Sequence, residues 1–191
     1  GVMLGGKITI ALAGLGSRGK DTYAQAVKKF PEKMEIVAIA DIDPAKVEEV
    51  AEEFHIPQER CFTSAEDLIA QDKLADVMFI TTQDQQHVRQ AIPALRKGYH
   101  LLLEKPISPD LDECRELVKV AKECDRQVIV CHVLRYTPIY SKVKEVIDSG
   151  VAGDIVSVMS IENVGYWHQA HSFVRGNWRN SNTTSPMILL M

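Results

Sequence analysis

Five short apolar runs mark the chain, at residues 8–13, 35–40, 76–81, 100–103 and 127–132. Each run has the length of a strand and is apolar on both faces, which is typical of buried parallel strands. Residues 55–62 read as a loop that leads into a very short additional strand. The pattern therefore predicts a parallel sheet.

Amphipathic segments separate these runs, and they predict helices at residues 18–30, 44–54, 87–96 and 110–124. A further helix is expected after Thr63, which we predict as its N-cap, with Glu66 as the capping-box partner. The apolar stripe predicted for residues 110–124 consists of Leu111, Cys114, Leu117, Val118 and Ala121. Because strands and helices alternate, the fold class is α/β with a doubly wound parallel sheet.

The pattern changes after residue 134, so we predict a dinucleotide-binding domain at 1–134 and the start of a second α/β domain at 135–191. A helix is predicted at 138–149, and partial alternation at 154–164 predicts a long strand of an open, mainly antiparallel sheet. Residues 135–191 are too few to form a second hydrophobic core of their own, so the chain is expected to be part of a longer protein. The unpaired strand is expected to cause either self-association or poor order in the tail.

Composition excludes several classes of partner. The 22 basic and 26 acidic residues of the 191-residue chain give no electrostatic reason to expect nucleic acid or an anionic membrane. No apolar run approaches the roughly 20 residues of a membrane span, and the first residues lack the features of a signal peptide. Four cysteines without a C-x-x-C pair favour small, buried, reduced side chains and a cytoplasmic location.

The first predicted strand is followed by Gly14, Gly16 and Gly19 in the spacing G-x-G-x-x-G. These glycines would permit a tight turn, close approach of a pyrophosphate, and close packing of the next helix. Asp41 ends the second strand, where a ribose hydroxyl would need an acceptor. The alternative is a plain glycine-rich turn. The acid favours NAD over NADP, although Arg18 near the loop could accommodate NADP.

Six stretches then carry a resemblance: G-L-G-S-R-G at 14–19, A-D-I-D-P at 40–44, T-T-Q-D-Q-Q-H at 81–87, L-L-L-E-K-P at 101–106, R-Y-T-P-I-Y at 135–140 and D-S-G-V-A-G-D-I at 148–155. With these motifs in this order, nearly the whole chain resembles the Gfo/Idh/MocA oxidoreductases, the family of glucose–fructose oxidoreductase and inositol dehydrogenase.

The resemblance implies a Rossmann domain followed by an α/β domain whose sheet often forms subunit contacts, and hence a homo-oligomer. It implies hydride transfer between a nicotinamide and a sugar, cyclitol or related polyhydroxy substrate. Two alternatives stay open: an NAD-dependent glycosidase of the same family, and a non-catalytic dinucleotide-binding sensor. The expected cofactor-binding residues are Gly14, Leu15, Gly16, Ser17, Arg18, Gly19, Asp41, Thr81, Thr82, His87, Glu104 and Lys105.

The chain departs from the family pattern in two respects. Gln83 stands where proline is usual after the fourth strand, a loop position that can vary without loss of the fold. The family also carries a catalytic histidine in its second domain, and by register the chain ends before that element. We therefore expect the 191 residues by themselves to bind cofactor but to turn over poorly.

Lys105 is the expected catalytic residue. By the resemblance it follows the fifth strand, at the sheet edge where open α/β folds place ligands. A lysine there can hydrogen-bond the reacting hydroxyl and accept its proton; the alternative is a solvated lysine. Glu104 either supports the loop or contacts the nicotinamide ribose, or else is a surface acid, and the family usually has a cis peptide before Pro106.

The remaining candidates each have a structural alternative. His87 either contacts the cofactor or organises its loop, and Thr81 and Thr82 are expected along the cofactor path. The possible substrate contacts are Lys105, Arg135, Trp167 and His168, where the alternatives are a linker arginine and ordinary loop packing. The spacing H-x-x-H after Trp167 lacks a third ligand or a nearby acid, so no metal site is predicted.

Overall fold

A computed structural model describes residues 6–161, 163, 165–170 and 175, with the side chains of 168 and 169 left out of that description. The chain divides into two compact units, Gly1–Val130 and Cys131–Met191. Each unit is described by itself below. The first unit contains the sheet, and the described part of the second unit is helical or irregular.

The first unit is built on six parallel strands in the order β3-β2-β1-β4-β5-β6. The strands are β1 (Ile8–Ala13), β2 (Met34–Ala40), β3 (Cys61–Phe62), β4 (Val77–Ile80), β5 (His100–Leu103) and β6 (Val128–Val130). The predicted parallel sheet is confirmed: each of the five predicted runs overlaps one of these strands, and the very short strand predicted after the loop at 55–62 corresponds to β3. The chain leaves β1 toward β2 and β3, then returns to the other side of β1 for β4, β5 and β6.

Hydrophobic cores cover both faces of the sheet. In β1, the side chains of Ile10 and Leu12 belong to one core, whereas Ala11 and Ala13 belong to the other. Since successive side chains of a strand point to opposite faces, this division shows helices packed on both sides. The double coverage explains why the sequence runs are apolar throughout rather than alternating.

Helices connect the strands. A π-helical segment, Ser17–Ala24, continues as α1 (Gln25–Lys28) and leads to β2, and 3₁₀ turns at Gln58–Arg60 and Asp84–Gln86 precede β3 and α4. The longer helices of the unit are α2 (Pro44–Phe54), α3 (Ala65–Ala70), α4 (His87–Arg96) and α5 (Leu111–Glu123). The Asp43 side chain caps α2 by accepting from the Ala45 N–H at 3.0 Å. Proline at position 44 suits the start of α2, because the first helical N–H needs no partner within the helix.

Two details of the helix predictions are wrong. The cap of α3 is Ser64 rather than Thr63: its Oγ accepts from the Asp67 N–H at 3.0 Å, and its backbone is extended as an N-cap requires. In α5, Leu111 and Val118 are 62% and 52% exposed, whereas the helix buries Leu117 and Val120. The contacting face of α5 is therefore rotated relative to the predicted stripe.

The second unit begins with a 3₁₀ turn at Val133–Tyr136 and then forms α6 (Pro138–Asp148) and the short α7 (Tyr166–Gln169). The strand predicted at 154–164 is wrong for the residues described there, which have no strand pairing. Alternation by itself does not make a strand, because the extended backbone needs a neighbour for its ladder of hydrogen bonds. Val156 and Met159 in this stretch are 96% and 87% exposed. Of the helices described in either unit, none is long and apolar enough to cross a bilayer.

Candidate cofactor site

The carboxyl ends of four neighbouring strands lie in register at one edge of the sheet. Ala13 pairs with Ala40 and with Ile80, and Ile80 pairs with Leu103. The residues that follow these four positions are Gly14, Asp41, Thr81 and Glu104. The strand order reverses between β1 and β4, and open α/β sheets bind ligands in the crevice outside such a switch point.

The backbone packs so closely at Gly14 and Gly19 that neither position has room for a side chain. Gly14 has φ +99°, and a Cβ there would lie 2.8 Å from the carbonyl carbon of Thr81. A Cβ on Gly19 would lie 2.0 Å from the Gly14 carbonyl oxygen, too close for any L side chain. The Thr81 hydroxyl donates to that same Gly14 oxygen at 2.7 Å. The predicted turn and the predicted close packing of the helix are both confirmed.

Gly16 differs from its two neighbours in the motif. Its φ of −71° and ψ of −168° are open to any residue, and a Cβ there would meet nothing within 4 Å. It is the N-cap of the helical segment Ser17–Ala24, which no side chain caps by a hydrogen bond in the described structure. The space beside Gly16 is therefore open at an uncapped helix N-terminus, and a helix N-terminus attracts negative charge. We call the glycine turn at 14–19 and the N-terminus of this helix the cradle, and its open space at Gly16 fits a diphosphate group.

Asp41 holds the glycine turn as well as facing the crevice. One oxygen, Oδ2, accepts the Leu15 N–H at 2.7 Å, and the other, Oδ1, accepts the Asp43 N–H at 2.8 Å. The side chain is half-buried. A carboxylate has about four lone-pair sites, so both oxygens retain capacity for a hydroxyl donor. The acid predicted for the ribose is thus fixed in position by two backbone contacts.

Glu104 follows β5 and is buried, with 6% of its surface exposed. Its Oε1 accepts from the Tyr23 hydroxyl, and its Oε2 accepts the Lys105 N–H at 3.1 Å. The Tyr23 ring also packs edge-on against Phe79, with centroids 5.9 Å apart. Glu104 therefore supports the loop, and the alternative of a surface acid is excluded. Tyr23 was not predicted, since no local pattern marks its contact with β5.

Lys105 lies beside Glu104 and is half-buried. The peptide between Lys105 and Pro106 is cis, as the resemblance implied. Within the described residues, Nζ of Lys105 forms no hydrogen bond or ion pair, whereas its backbone N–H is held by Glu104. Among the described residues, the side-chain amine of Lys105 is thus without a hydrogen-bonding partner.

His87 begins α4 and is 1% exposed. Its Nδ1 lies 2.7 Å from the Pro106 carbonyl oxygen, and its Nε2 lies 2.9 Å from the Thr82 carbonyl oxygen. The Thr82 hydroxyl donates to Oε1 of the buried Gln90 at 2.6 Å. Of the two alternatives for His87, the structure shows the one in which the ring organises its loop. Its ring nitrogens are directed at backbone rather than at the crevice.

The predicted substrate residues Arg135, Trp167 and His168 all belong to the second unit. Arg135 is exposed, Trp167 is 74% exposed, and the His168 side chain lies outside the described residues. The sequence prediction that brings them to Lys105 stays a prediction. No group of three or more potential metal ligands occurs among the residues that the structure describes. The four cysteines are free thiols.

The strand order, the glycine turn at the switch point and the open helix N-terminus define a dinucleotide-binding domain of the Rossmann class. Residues 8–132 match the oxidoreductase family with an NAD-binding Rossmann fold, the Gfo/Idh/MocA family. The chain belongs to this family, whose cofactor is NAD, and the resemblance found in the motifs is confirmed.

Similarity to individual proteins agrees with the family. The chain is 28% identical over 155 residues to an inositol 2-dehydrogenase of Corynebacterium glutamicum, covering 81% of this chain and 45% of the relative. A solved WlbA dehydrogenase from Chromobacterium violaceum, in complex with NADH and UDP-GlcNAcA, is 27% identical with a TM-score of 0.71, over 77% of this chain and 41% of that one. For an apo scyllo-inositol dehydrogenase from Lactobacillus casei the identity is 25% and the TM-score 0.71, over 78% and 43% of the two chains. The chain thus spans less than half the length of these relatives.

Proposed function

We propose that this chain is the cofactor-binding part of an NAD-dependent oxidoreductase that moves a hydride between nicotinamide and a sugar, cyclitol or related polyhydroxy compound. The observation that carries the proposal is the open cradle at Gly16, set between the packed Gly14 and Gly19 at the switch point of the sheet. The substrate class is supported by the named relatives, which include inositol dehydrogenases.

In the proposed arrangement the glycine turn and the first turn of the helix bind the diphosphate, while Asp41 accepts a ribose hydroxyl. The residues assigned to the cofactor cradle are Gly14, Leu15, Gly16, Ser17, Arg18, Gly19, Asp41, Thr81 and Thr82. NAD, when bound, supplies the nicotinamide ring that accepts the hydride. Lys105 is the acid–base residue: its neutral amine accepts the hydroxyl proton as the substrate C–H bond gives up its electron pair and a carbonyl forms. Glu104 holds the Lys105 backbone in place.

Three further assignments are part of the proposal. The free thiols favour a reducing, cytoplasmic setting. The exposed apolar residues of the second unit, such as Ile139 and Val156, favour a homo-oligomer formed through that unit. We also place the boundary between the cofactor domain and the substrate domain close to residue 134, with Arg135 and Trp167 on the substrate side.

The substitution Gly16→Ala tests the cradle. It adds one methyl group to empty space in the protein, so the free energy of unfolding should stay within about 0.5 kcal/mol of the original. The same methyl group would occupy the place of the diphosphate, so we expect the Kd for NAD to rise by about tenfold or more, which corresponds to about 1.4 kcal/mol. Calorimetric titration with NAD and urea unfolding measure the two quantities.

Gly165→Ala is a matched control, because Gly165 is also a helix N-cap whose Cβ would meet nothing within 4 Å. It should alter neither the Kd for NAD nor the stability. Unchanged NAD affinity in the Gly16→Ala variant would refute the proposed cradle. Net formation of NADH with a cyclitol favours the dehydrogenase, whereas release of a sugar without net NADH would identify a glycosidase.

A further inference from the structure

His87 connects two loops that leave neighbouring strands. The Thr82 carbonyl belongs to the loop after β4, and the Pro106 carbonyl belongs to the loop after β5. The imidazole lies between them, with Nε2 2.9 Å from the first oxygen and Nδ1 2.7 Å from the second. Carbonyl oxygens only accept hydrogen bonds, so each contact requires a proton on the ring nitrogen concerned.

The Thr82 side of this contact is itself fixed. The Thr82 hydroxyl donates to Gln90 Oε1 at 2.6 Å, and Gln90 Nε2 donates to Glu66 Oε1 at 2.8 Å. Gln90 is only 2% exposed, so its hydrogen bond with Thr82 is shielded from competing water, whereas Glu66 at the far end is exposed. The histidine ring therefore connects a rigid anchor on one side to the loop that contains Lys105 on the other.

Lys105 is held from both directions along the backbone. On its N-terminal side, the Glu104 N–H donates to the Ile80 carbonyl at 3.0 Å, and the Glu104 carboxylate accepts the Lys105 N–H at 3.1 Å. On its C-terminal side, the carbonyl of Pro106 is the acceptor for His87 Nδ1. Without the histidine contact, the C-terminal side of Lys105 would lose this anchor.

We propose that His87 is a positioning residue for Lys105, and that it acts through the Nδ1–H donated to the Pro106 carbonyl. The catalytic meaning of this contact rests on the proposed function, in which Lys105 moves the substrate proton. The contact itself does not depend on that function. A neutral ring that carries its proton on Nδ1 satisfies the proposal, as does a doubly protonated ring, which alone donates to both carbonyls.

Asparagine and glutamine at position 87 each replace a different one of the two ring contacts, so the two variants test these contacts separately. In His87→Asn the amide NH₂ can replace the donor at Nδ1, whereas in His87→Gln the longer amide can replace the donor at Nε2. Each variant retains a donor at one of the two contacts and has none at the other, so a difference in exchange at Lys105 between the variants reports which contact holds the loop. We expect the amide proton of Lys105 to exchange about tenfold faster in His87→Gln than in His87→Asn, the effect of one lost hydrogen bond on local opening.

The unmodified chain gives an independent measurement. The ¹⁵N chemical shifts of the His87 ring distinguish a protonated from an unprotonated Nδ1, and we expect a proton there. His132→Gln, at an exposed position, is the control and should leave the exchange at Lys105 unchanged. Equal exchange rates in the two His87 variants, or an unprotonated Nδ1, would overturn the proposal. Unchanged NAD affinity in the Gly16→Ala variant would refute the proposed function, whereas the exchange rates at Lys105 would be unaffected.

Discussion

Replacement of Asp41 by asparagine should weaken the preference for NAD over NADP. Asparagine is chosen because the Asp41 carboxylate also accepts the Leu15 N–H at 2.7 Å and so supports the glycine turn. The amide oxygen of asparagine can keep that contact, whereas alanine would remove it and damage binding of both cofactors. The variant therefore removes the charge and retains the hydrogen bond to the turn, whereas the contact with the Asp43 N–H is lost.

The size of the expected change in cofactor preference follows from two effects at Asp41. The 2′-phosphate of NADP carries a charge of about −1.5 to −2. At a contact distance of about 4 Å, each pair of unit charges costs about 1–4 kcal/mol between bulk water and a protein surface. A hydrogen bond from the ribose hydroxyl to the charged oxygen contributes about 1.5–3 kcal/mol with NAD. Because Asp41 is half-buried, we expect Asp41→Asn to reduce the difference in binding free energy between NAD and NADP by about 1–3 kcal/mol. This corresponds to roughly 5–150-fold in the ratio of the two Kd values.

The assay is a pair of titrations, with NAD and with NADP, each at low and at high salt. The original protein should bind NAD more tightly, and the difference should shrink as salt screens the repulsion of the 2′-phosphate. Asp43→Asn is the matched control: it removes a neighbouring exposed carboxylate at the cap of α2, where asparagine caps equally well. Its effect on the ratio should be small.

Tighter binding of NADP by the original protein would refute this reasoning. So would an unchanged ratio of the two Kd values in Asp41→Asn. In the second case, the two backbone hydrogen bonds of Asp41 would be its whole role, and the selectivity would reside elsewhere in the crevice.

Two further predictions concern Lys105 and Asp76. In a full-length protein that contains this chain, Lys105→Ala should leave NAD affinity nearly intact and lower kcat for polyol oxidation by roughly 10²–10⁴; lost affinity at unchanged kcat would make Lys105 a cofactor anchor instead. The Thr9 N–H, and then the Thr9 hydroxyl, donate to the Asp76 carboxylate and hold its pKa below the usual value. A carboxyl pKa that is lower in the folded state stabilises the fold above the unfolded pKa of about 3.9, and this contribution is lost as pH falls through the folded value. Asp76→Asn should therefore cost about 1–3 kcal/mol at pH 7 in urea unfolding and clearly less near pH 2; an equal loss at both pH values would contradict the assignment.

The sequence by itself determined the strands and helices of the first unit and the functional residues that follow the strands. Runs of apolar residues of strand length, separated by amphipathic segments, are local patterns with a direct physical cause in burial on two faces. The spacing of Gly14, Gly16 and Gly19 and the acid at Asp41 were likewise readable, because each residue type has a chemistry that suits its place after a strand. The family, and with it the expected role of Lys105, came from the resemblance of six motifs along the chain.

Other predictions failed where a neighbour in space decides the outcome. Thr63 and Ser64 are equally good caps by composition, and only the path of the backbone selects Ser64. In α5 the periodicity did not distinguish Val118 from Val120, and the helix packs so that Val120 is buried. The stretch at 154–164 has a strand-like pattern, yet its described residues have no partner strand.

Only the tertiary structure decided the contacts that join distant residues at the site. Tyr23 and Glu104 are 81 positions apart, and their hydrogen bond exists because the sheet order places the helical segment Ser17–Ala24 beside the end of β5. The same order puts Thr82, His87 and Pro106 together. A local pattern specifies what a residue can donate or accept, but the partner is set by strand order and register. The difference between a histidine that contacts a cofactor and one that holds a loop is therefore a property of the fold.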